Sequence, residues 1–109
     1  MDELLHEMIR DTIRKIPAGR VATYGDIADL SHAPTAKLVG HLLNTDHTSL
    51  PWHRVLRANG TCAPHIAEEQ LRLLEEEGVP STNGKINLHT YRWEEAVKPQ
   101  EEDNTPTLF

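Results

Sequence analysis

The sequence predicts an α+β fold, mainly α, organised as a winged helix-turn-helix domain. Two short helical segments joined by a tight turn, in the first half of the chain, are typical of a helix-turn-helix unit. Asn-Gly pairs at 59–60 and 83–84 indicate two hairpin turns, and the first of these would form the wing. A chain of 109 residues has the length of one domain with a modest core.

The first predicted element is an amphipathic helix over residues 3–15. Pro17 and Gly19 follow it and are expected to end it. Its apolar residues recur at intervals of three and four, which places them on one helix face: Leu4, Leu5, Met8, Ile9 and Ile13.

Two further helices are predicted on either side of a turn. Thr23 is placed to cap a short helix over Tyr24–Leu30. Residues 31–34 form the turn, and Thr35 is placed to cap a third helix that reaches about Leu43. Together these segments are the predicted helix-turn-helix.

The middle of the chain is predicted to contain a loop and then a hairpin. Residues 44–49 are expected to form the loop. The segments 54–58 and 61–63 flank Asn59-Gly60 and are expected to pair as the two strands of the wing.

The last part of the chain is predicted to hold a helix, a second hairpin and a tail. The helix covers Ile66–Glu77 and ends at Gly78. The hairpin turns at 83–84. We expect residues 1–96 to form the folded domain and residues 97–109, which are acidic and nearly free of apolar side chains, to form a disordered tail.

Charge is distributed unevenly along the chain. The formal net charge is −6, but residues 1–60 hold seven acidic and seven basic residues, whereas residues 61–109 hold ten acidic and four basic ones. DNA binding depends on neutralising phosphates. The neutral first half therefore permits DNA binding, with weak affinity unless a base pocket adds to it.

The remaining composition points to a cytoplasmic protein. The single cysteine, Cys62, excludes an internal disulfide and is typical of a reducing compartment. The acidic N-terminal residues do not resemble a signal peptide, and no apolar run approaches the length of a membrane helix. No residue pattern indicates a cofactor or a metal site.

One short stretch carries more functional information than the rest of the chain. Pro51-Trp52-His53-Arg54-Val55 resembles the Pro-Cys-His-Arg-Val signature of the O6-alkylguanine-DNA alkyltransferases, with Trp52 in place of the reactive cysteine. The resemblance extends through residues 16–28, 36–40 and 73–79, in the family order. By this resemblance the chain is identified as an alkyltransferase-like protein, and the fold it implies is the winged helix-turn-helix.

The resemblance implies a protein that binds the lesion and does not repair it. The parent enzymes transfer the alkyl group to a cysteine thiolate, and an indole is not nucleophilic enough to replace it. Catalytic residues are therefore not expected. The implied function is a damage sensor that binds O6-alkylguanine through the minor groove, flips the nucleotide into a pocket and flags it for nucleotide excision repair.

The resemblance also assigns the residues that would contact DNA. The lesion pocket would be formed by Tyr24, Trp52, Val55 and His65. Lys37 stands where the family has an arginine finger that replaces the flipped base; a lysine lacks the planar guanidinium that stacks on bases. Thr35, Ala36 and Gly40 would face the minor groove on the third helix.

Several of these residues also have simpler interpretations. Tyr24 and Trp52 could be core side chains, Lys37 a solvated surface residue, and His65 one of seven unremarkable histidines. Gly40 could serve close packing against the second helix instead of close approach to DNA.

Three residues are expected to remain from the parent enzyme's catalytic apparatus. His53 and Glu77 match the pair that activates the cysteine, and we expect them to form a structural hydrogen bond. Asn44 matches the asparagine that braces the helix-turn-helix against the loop of the signature, although a helix C-cap is the alternative.

The partners implied are double-stranded DNA containing O6-alkylguanine and nucleotide excision repair proteins, with the protein itself a monomer and no membrane partner. Two other hypotheses stay open. An enzyme could use Cys62 as its nucleophile, although Cys62 lies ten residues beyond the reactive position. A generic winged-helix DNA-binding or protein-interaction module would have no lesion specificity, but it would leave residues 51–54 unexplained.

Overall fold

The computed structural model describes residues 3–97. Within that range, five α-helices, four short strands and a last helical turn at residues 94–97 follow one another along the chain. The elements are α1 (Glu3–Arg14), β1 (Ala22–Thr23), α2 (Tyr24–Ser31), α3 (Ala36–Asp46), β2 (Val55–Leu56), α4 (Ala67–Glu76), β3 (Ser81–Thr82), β4 (Lys85–Ile86) and α5 (Leu88–Tyr91). Short 3-10 helices occupy His47–Ser49, Trp52–Arg54 and Pro64–Ile66. The mainly helical α+β prediction is confirmed.

Local side chains define the helix-turn-helix formed by α2 and α3. Thr23 and Asp26 form a capping box at the start of α2, in which each side chain accepts a hydrogen bond from the other residue's backbone N–H at 3.0 Å. His32 ends α2 in the left-handed conformation, with φ of 64°. The Thr35 hydroxyl accepts from Leu38 N at the start of α3. Both predicted caps are confirmed.

The third helix is longer than the sequence predicted. It continues to Asp46, and a 3-10 turn carries the chain on to Ser49, so the expected loop over 44–49 is wrong. Residues 41–50 contain neither glycine nor proline, so no helix-breaking residue follows Gly40 until Pro51. Burial of Leu42 and Leu43 in the core also stabilises the extra turn.

The predicted wing hairpin at Asn59-Gly60 is present only at its turn. Gly60 N donates to Arg57 O at 2.8 Å and Arg57 N donates to Thr61 O at 3.0 Å, but the two flanking segments form no strand ladder with each other. The strand before the turn, β2, instead pairs in parallel with β1, and Thr61 after the turn bridges Lys85 of β4. Burial of both β2 side chains in the core explains this choice, since an isolated hairpin would leave them exposed.

The second predicted hairpin is confirmed. Strands β3 and β4 pair in antiparallel register across Asn83-Gly84. Both turn residues have positive φ, 54° and 78°, as a two-residue turn of this kind requires.

Helix α4 begins with a 3-10 turn and ends where the sequence predicted. Gly78 has φ of 87°, and its N–H donates to Glu75 O at 3.0 Å. Val79 N donates to Leu74 O at 2.9 Å, which completes a Schellman motif. This C-cap places Glu77, the last residue before the glycine, beside the signature loop.

The buried side chains form two clusters that fix the elements around the site. The larger cluster joins α1, α2 and α3 to Val55 and Trp93, and the smaller one lies between β2, α4 and β4. Arg92 forms a forked ion pair with the buried Asp26 and so ties the C-terminal segment to the cap of α2. Within residues 3–97, no helix has the length and apolar character needed to cross a bilayer.

The expected tail overlaps the end of the described chain by one residue. Residues 94–97 form a helical turn, so Val97 is still helical. The rest of the expected tail, residues 98–109, lies outside the described residues.

Candidate nucleic-acid interface

A cleft of about 1060 Å³ opens between α3 and the segment that runs from the 3-10 turn at Pro64 into α4. Tyr24, Trp52 and His65, three of the four predicted pocket residues, line it. Ala36, Lys37, Gly40 and Asn44 line it from α3. The fold thus brings most of the sequence-predicted site residues to one concavity.

Val55 is the pocket residue that the structure places elsewhere. Its side chain is 1% exposed and belongs to the larger core cluster, and it does not line the cleft. The residue lies on β2, whose side chains both point into the protein. Parallel pairing with β1 therefore keeps the Val55 side chain out of the cleft, and the contact of Val55 with the flipped base stays a prediction.

Trp52 combines the two interpretations that the sequence left open. It begins the 3-10 turn of the signature loop, and its half-buried indole packs against the larger core cluster while lining the cleft. The imidazoles of His47 and His53 both meet it edge-on, with ring centroids 6.2 Å away. The indole is held from several sides and presents one surface to the cleft.

Two of the residues that α3 contributes to the cleft, Ala36 and Gly40, have little or no side chain. A Cβ built on Gly40 would meet nothing within 4 Å. Close packing against α2 therefore does not explain this glycine. Thr35 is exposed at the N-cap and does not line the cleft itself, although it directly precedes Ala36, which does.

A hydrogen-bond network centred on Glu77 supports the signature loop from behind. The Glu77 carboxylate lies 2.7 Å from His53 Nε2 and accepts two N–H groups of Arg54, with Arg54 Nη2 also at 2.7 Å. It accepts a further bond from Gly19 N at 3.1 Å. The expected hydrogen bond between His53 and Glu77 is present, but its carboxylate is shared with an arginine.

The electrostatics of Glu77 follow from this network. Burial by itself raises the pKa of the carboxyl, but hydrogen bonds from Arg54, His53 and Gly19 outweigh it. The net effect lowers the pKa of Glu77 from 4.5 to about 2. The carboxylate is therefore ionised across the physiological range.

Sequence reasoning missed two residues that position the loop. Arg54, besides its bonds to Glu77, donates from Nη1 to Ile16 O at 2.8 Å. Gln70, 1% exposed on α4, donates to the carbonyls of His53 and Val55 at 3.1 and 2.9 Å. The sequence does contain one indication of this role: Gln70 is a polar residue four positions before Leu74, on the buried face of α4.

Asn44 does neither of the things predicted for it. Its exposed side chain lines the cleft from within α3 and makes no hydrogen bond to the signature loop among residues 3–97. The C-cap alternative is wrong as well, because α3 continues past Asn44 and His47 caps it.

Cys62 lies in the smaller core cluster and is 7% exposed. Burial raises the pKa of its thiol, and the nearby Arg57 only partly opposes that rise. A nucleophilic cysteine needs the opposite, an accessible thiol with a lowered pKa. This environment argues against the hypothesis that Cys62 accepts an alkyl group.

The cleft also contains charged residues that the sequence did not single out. Arg57 and Arg72 join Lys37 as cations, and Glu68 and Glu69 are the carboxylates. Arg72 pairs with Glu69 at 2.9 Å and also with Glu76 at 2.8 Å. Within residues 3–97, no group of His, Cys, Asp and Glu has the arrangement of a metal site.

Sequence and structure comparisons agree on the relatives of this chain. The DNA base-flipping protein of Escherichia coli is 39% identical over 87 residues, which cover 74% of this chain and 67% of that protein. Alkyltransferase-like protein 1 of Schizosaccharomyces pombe is 37% identical over 105 residues, covering 85% of this chain and 96% of the relative.

Two solved structures of the S. pombe protein have the same fold. One is its complex with damaged DNA containing O6-carboxymethylguanine, with a TM-score of 0.72 and 34% identity, covering 85% of this chain and 96% of the other. The second is a complex with DNA, with a TM-score of 0.71. Residues 5–79 match the 6-O-methylguanine DNA methyltransferase family through its DNA-binding domain. The chain is therefore a member of that family, on the alkyltransferase-like branch that these relatives represent.

Proposed function

We propose that this protein is a non-enzymatic sensor of O6-alkylguanine in double-stranded DNA. The observation that carries the proposal is Trp52, which takes the place of the reactive cysteine and lines a cleft beside the recognition helix α3. A flipped guanine placed there would meet an aromatic surface in place of a thiolate. Binding without transfer is the result.

The parts of the cleft divide the work of recognition. Helix α3 enters the minor groove, and the small residues Ala36 and Gly40 allow the backbone to approach closely. Lys37 fills the gap left by the flipped nucleotide. Tyr24 and His65 face the flipped base beside Trp52. The bound and distorted lesion then recruits nucleotide excision repair proteins to a monomeric sensor.

The relatives support this proposal by their known properties. One is a DNA base-flipping protein, and another was solved with DNA that contains an O6-alkylguanine. The network around Glu77 adds a physical reason, because it holds the signature loop in place without a cysteine to activate. In this protein the network fixes the position of Trp52 at the side of the cleft.

A titration of a short duplex containing one O6-methylguanine, followed by fluorescence anisotropy, tests the proposal. The same duplex with guanine is the control, and the intact mass of the protein is measured after incubation. We expect tighter binding to the lesion duplex and an unchanged protein mass. Equal affinity for both duplexes at physiological salt would contradict lesion sensing, and a mass gain of one alkyl group would contradict a non-enzymatic role.

Lys37 offers a second test of the same site. Because Lys37 would hold the gap by its charge, and a hydrogen bond from a charged group contributes about 1.5–3 kcal/mol, we expect Lys37→Ala to weaken lesion binding by roughly tenfold or more. Lys37→Arg should strengthen it by about threefold to tenfold, since a planar guanidinium stacks where an ammonium does not. Anisotropy with the lesion duplex measures both changes.

Lys85 provides the matched control for Lys37. It is an exposed lysine on β4 that does not line the cleft. Lys85→Ala removes the same charge and should leave lesion selectivity, the ratio of the two duplex affinities, unchanged. If Lys37→Ala lowered both affinities by the same factor, Lys37 would be a general phosphate contact and not a base-replacing finger.

A further inference from the structure

Two histidines that the proposed function leaves unused lie on the cleft-facing side of α3. His41 follows Lys37 by four residues and His47 follows Asn44 by three, so the four residues form a stripe along the helix and its C-cap. All four line the cleft. We propose that His41 and His47 are proton-dependent contacts to the DNA backbone, which make DNA affinity rise as pH falls. The inference rests on the proposed use of this cleft for DNA.

Neither histidine has an internal partner that would take this role. Both are exposed, and within residues 3–97 neither side chain forms a hydrogen bond or an ion pair. The ring of His47 meets the indole of Trp52 edge-on, a contact that takes up no charge. Asp46, beside His47, is already paired with Arg10 at 2.8 Å. The carbonyl end of α3 at His47 favours a cation there. No carboxylate of the described residues lies within ion-pair distance of either ring, so a phosphate placed against the stripe would be the first anion to pair with a protonated imidazole there.

The charges around the cleft explain why two extra protons would matter. Its fixed charges nearly cancel, with three cations against two carboxylates. The titratable and charged side chains that face the stripe come from α2, from the turn after β2, from the 3-10 turn before α4 and from α4: Tyr24, Arg57, His65, Glu68, Glu69 and Arg72. Protonation of His41 and His47 would change a nearly neutral surface into a clearly positive one.

The predicted behaviour is a proton-linked affinity for any duplex. Histidine changes its charge between about pH 5 and 8. At fixed ionic strength, we expect the protein to bind undamaged duplex about tenfold more tightly at pH 6 than at pH 8. The fall of log affinity with log salt should also be steeper at pH 6, by roughly 1 to 2 in slope, because each phosphate contact contributes about 0.9.

Anisotropy titrations of the full chain at pH 6, 7 and 8, with undamaged and O6-methylguanine duplexes, measure this linkage. The double variant His41→Gln and His47→Gln should bind with the same affinity at all three pH values. His41→Lys should bind tightly at pH 8 as well, because its charge no longer depends on pH in this range. His89→Gln is the matched control, an exposed histidine outside the cleft that should leave the pH dependence intact.

The outcomes separate this inference from the proposed function. Selective lesion binding at pH 8 with an affinity that does not change down to pH 6 would overturn the inference alone. A double variant that kept the full pH dependence would also overturn the inference, because the pH dependence would then come from another group. Loss of that pH dependence in His65→Gln would identify the third cleft histidine as its source. A pH dependence removed by the double variant, but with equal affinity for both duplexes, would support the inference and contradict lesion sensing.

Discussion

Glu77→Gln is expected to lower the free energy of unfolding by about 2 to 3 kcal/mol. The Glu77 side chain is 18% exposed and accepts hydrogen bonds from Arg54 and Gly19, with His53 also within bonding distance. An amide keeps the shape but leaves the largely buried Arg54 guanidinium without its counter-ion. Thermal unfolding should show a fall in Tm of roughly 10 to 20 °C.

The same carboxylate should also make stability depend on pH in the acid range. Its pKa is about 2 in the folded protein and 4.5 when unperturbed. Its stabilisation is therefore complete above about pH 4.5 and is lost as pH falls through 2. Denaturant unfolding at several pH values should show a loss of stability in this window that is smaller in Glu77→Gln.

The neighbouring Glu75 supplies the control for this prediction. It is exposed at the end of α4, and Glu75→Gln should leave both the stability and its acid dependence near those of the unaltered protein. If both variants lost the same stability, the effect would be one of helix charge and not of the network around Glu77.

Features governed by neighbouring residues were predictable from the sequence. The capping box of Thr23, the cap at Thr35 and the Schellman motif at Gly78 all follow from side chains within a few residues. The hairpin at 83–84 follows from a residue pair that tolerates positive φ. In each case the chain satisfies its own backbone locally.

Features decided by distant partners were not predictable in the same way. The Asn59-Gly60 pair looked like the centre of a hairpin, yet Gly60 O accepts from Ile86 N at 2.9 Å. A Cβ at Gly60 would lie 2.6 Å from Ile86 O, so this glycine serves close approach of two segments. No residue near position 60 in the sequence indicates that Ile86 packs against this glycine.

The candidate site divides along the same line. The residues that the resemblance assigned to DNA contact include Trp52, Tyr24 and Lys37, and all three line one cleft, because resemblance carries tertiary information that composition lacks. Their roles toward DNA stay predictions. The resemblance did not indicate that the Val55 side chain is buried, because that burial depends on the pairing of β2 with β1. The supporting role of Gln70 depends on where two carbonyls fall in space, and a single sequence does not contain that information.

Trp52→Cys is expected to convert the proposed lesion binder into a stoichiometric alkyl acceptor. The substitution restores the Pro-Cys-His-Arg-Val signature next to a His53 that already lies 2.7 Å from Glu77. With His53 as base, the thiolate would attack the methyl carbon of O6-methylguanine. The carbon–oxygen bond would break, and O6 would keep the electron pair. Intact-mass measurement after incubation with the lesion duplex should show a gain of one methyl group.

Two further variants assign this gain to position 52 and to its activation. Trp52→Ala removes the same indole without adding a thiol, so its mass should not change even if its affinity falls. Adding His53→Gln to Trp52→Cys should slow the transfer, because the thiol loses its base. The modified peptide must contain position 52 and not Cys62.

The Trp52→Cys experiment also tests the geometry of the proposed pocket. If the variant bound the lesion duplex selectively but its mass never changed, the side chain at position 52 would not face the alkyl group. The sharing of Glu77 with Arg54 makes slow transfer the expected behaviour, since the carboxylate is only partly available to orient His53. A time course over many hours therefore distinguishes slow transfer from a side chain at position 52 that does not face the alkyl group. Transfer at any measurable rate places the alkyl group against position 52, where the unaltered protein presents an indole that cannot react.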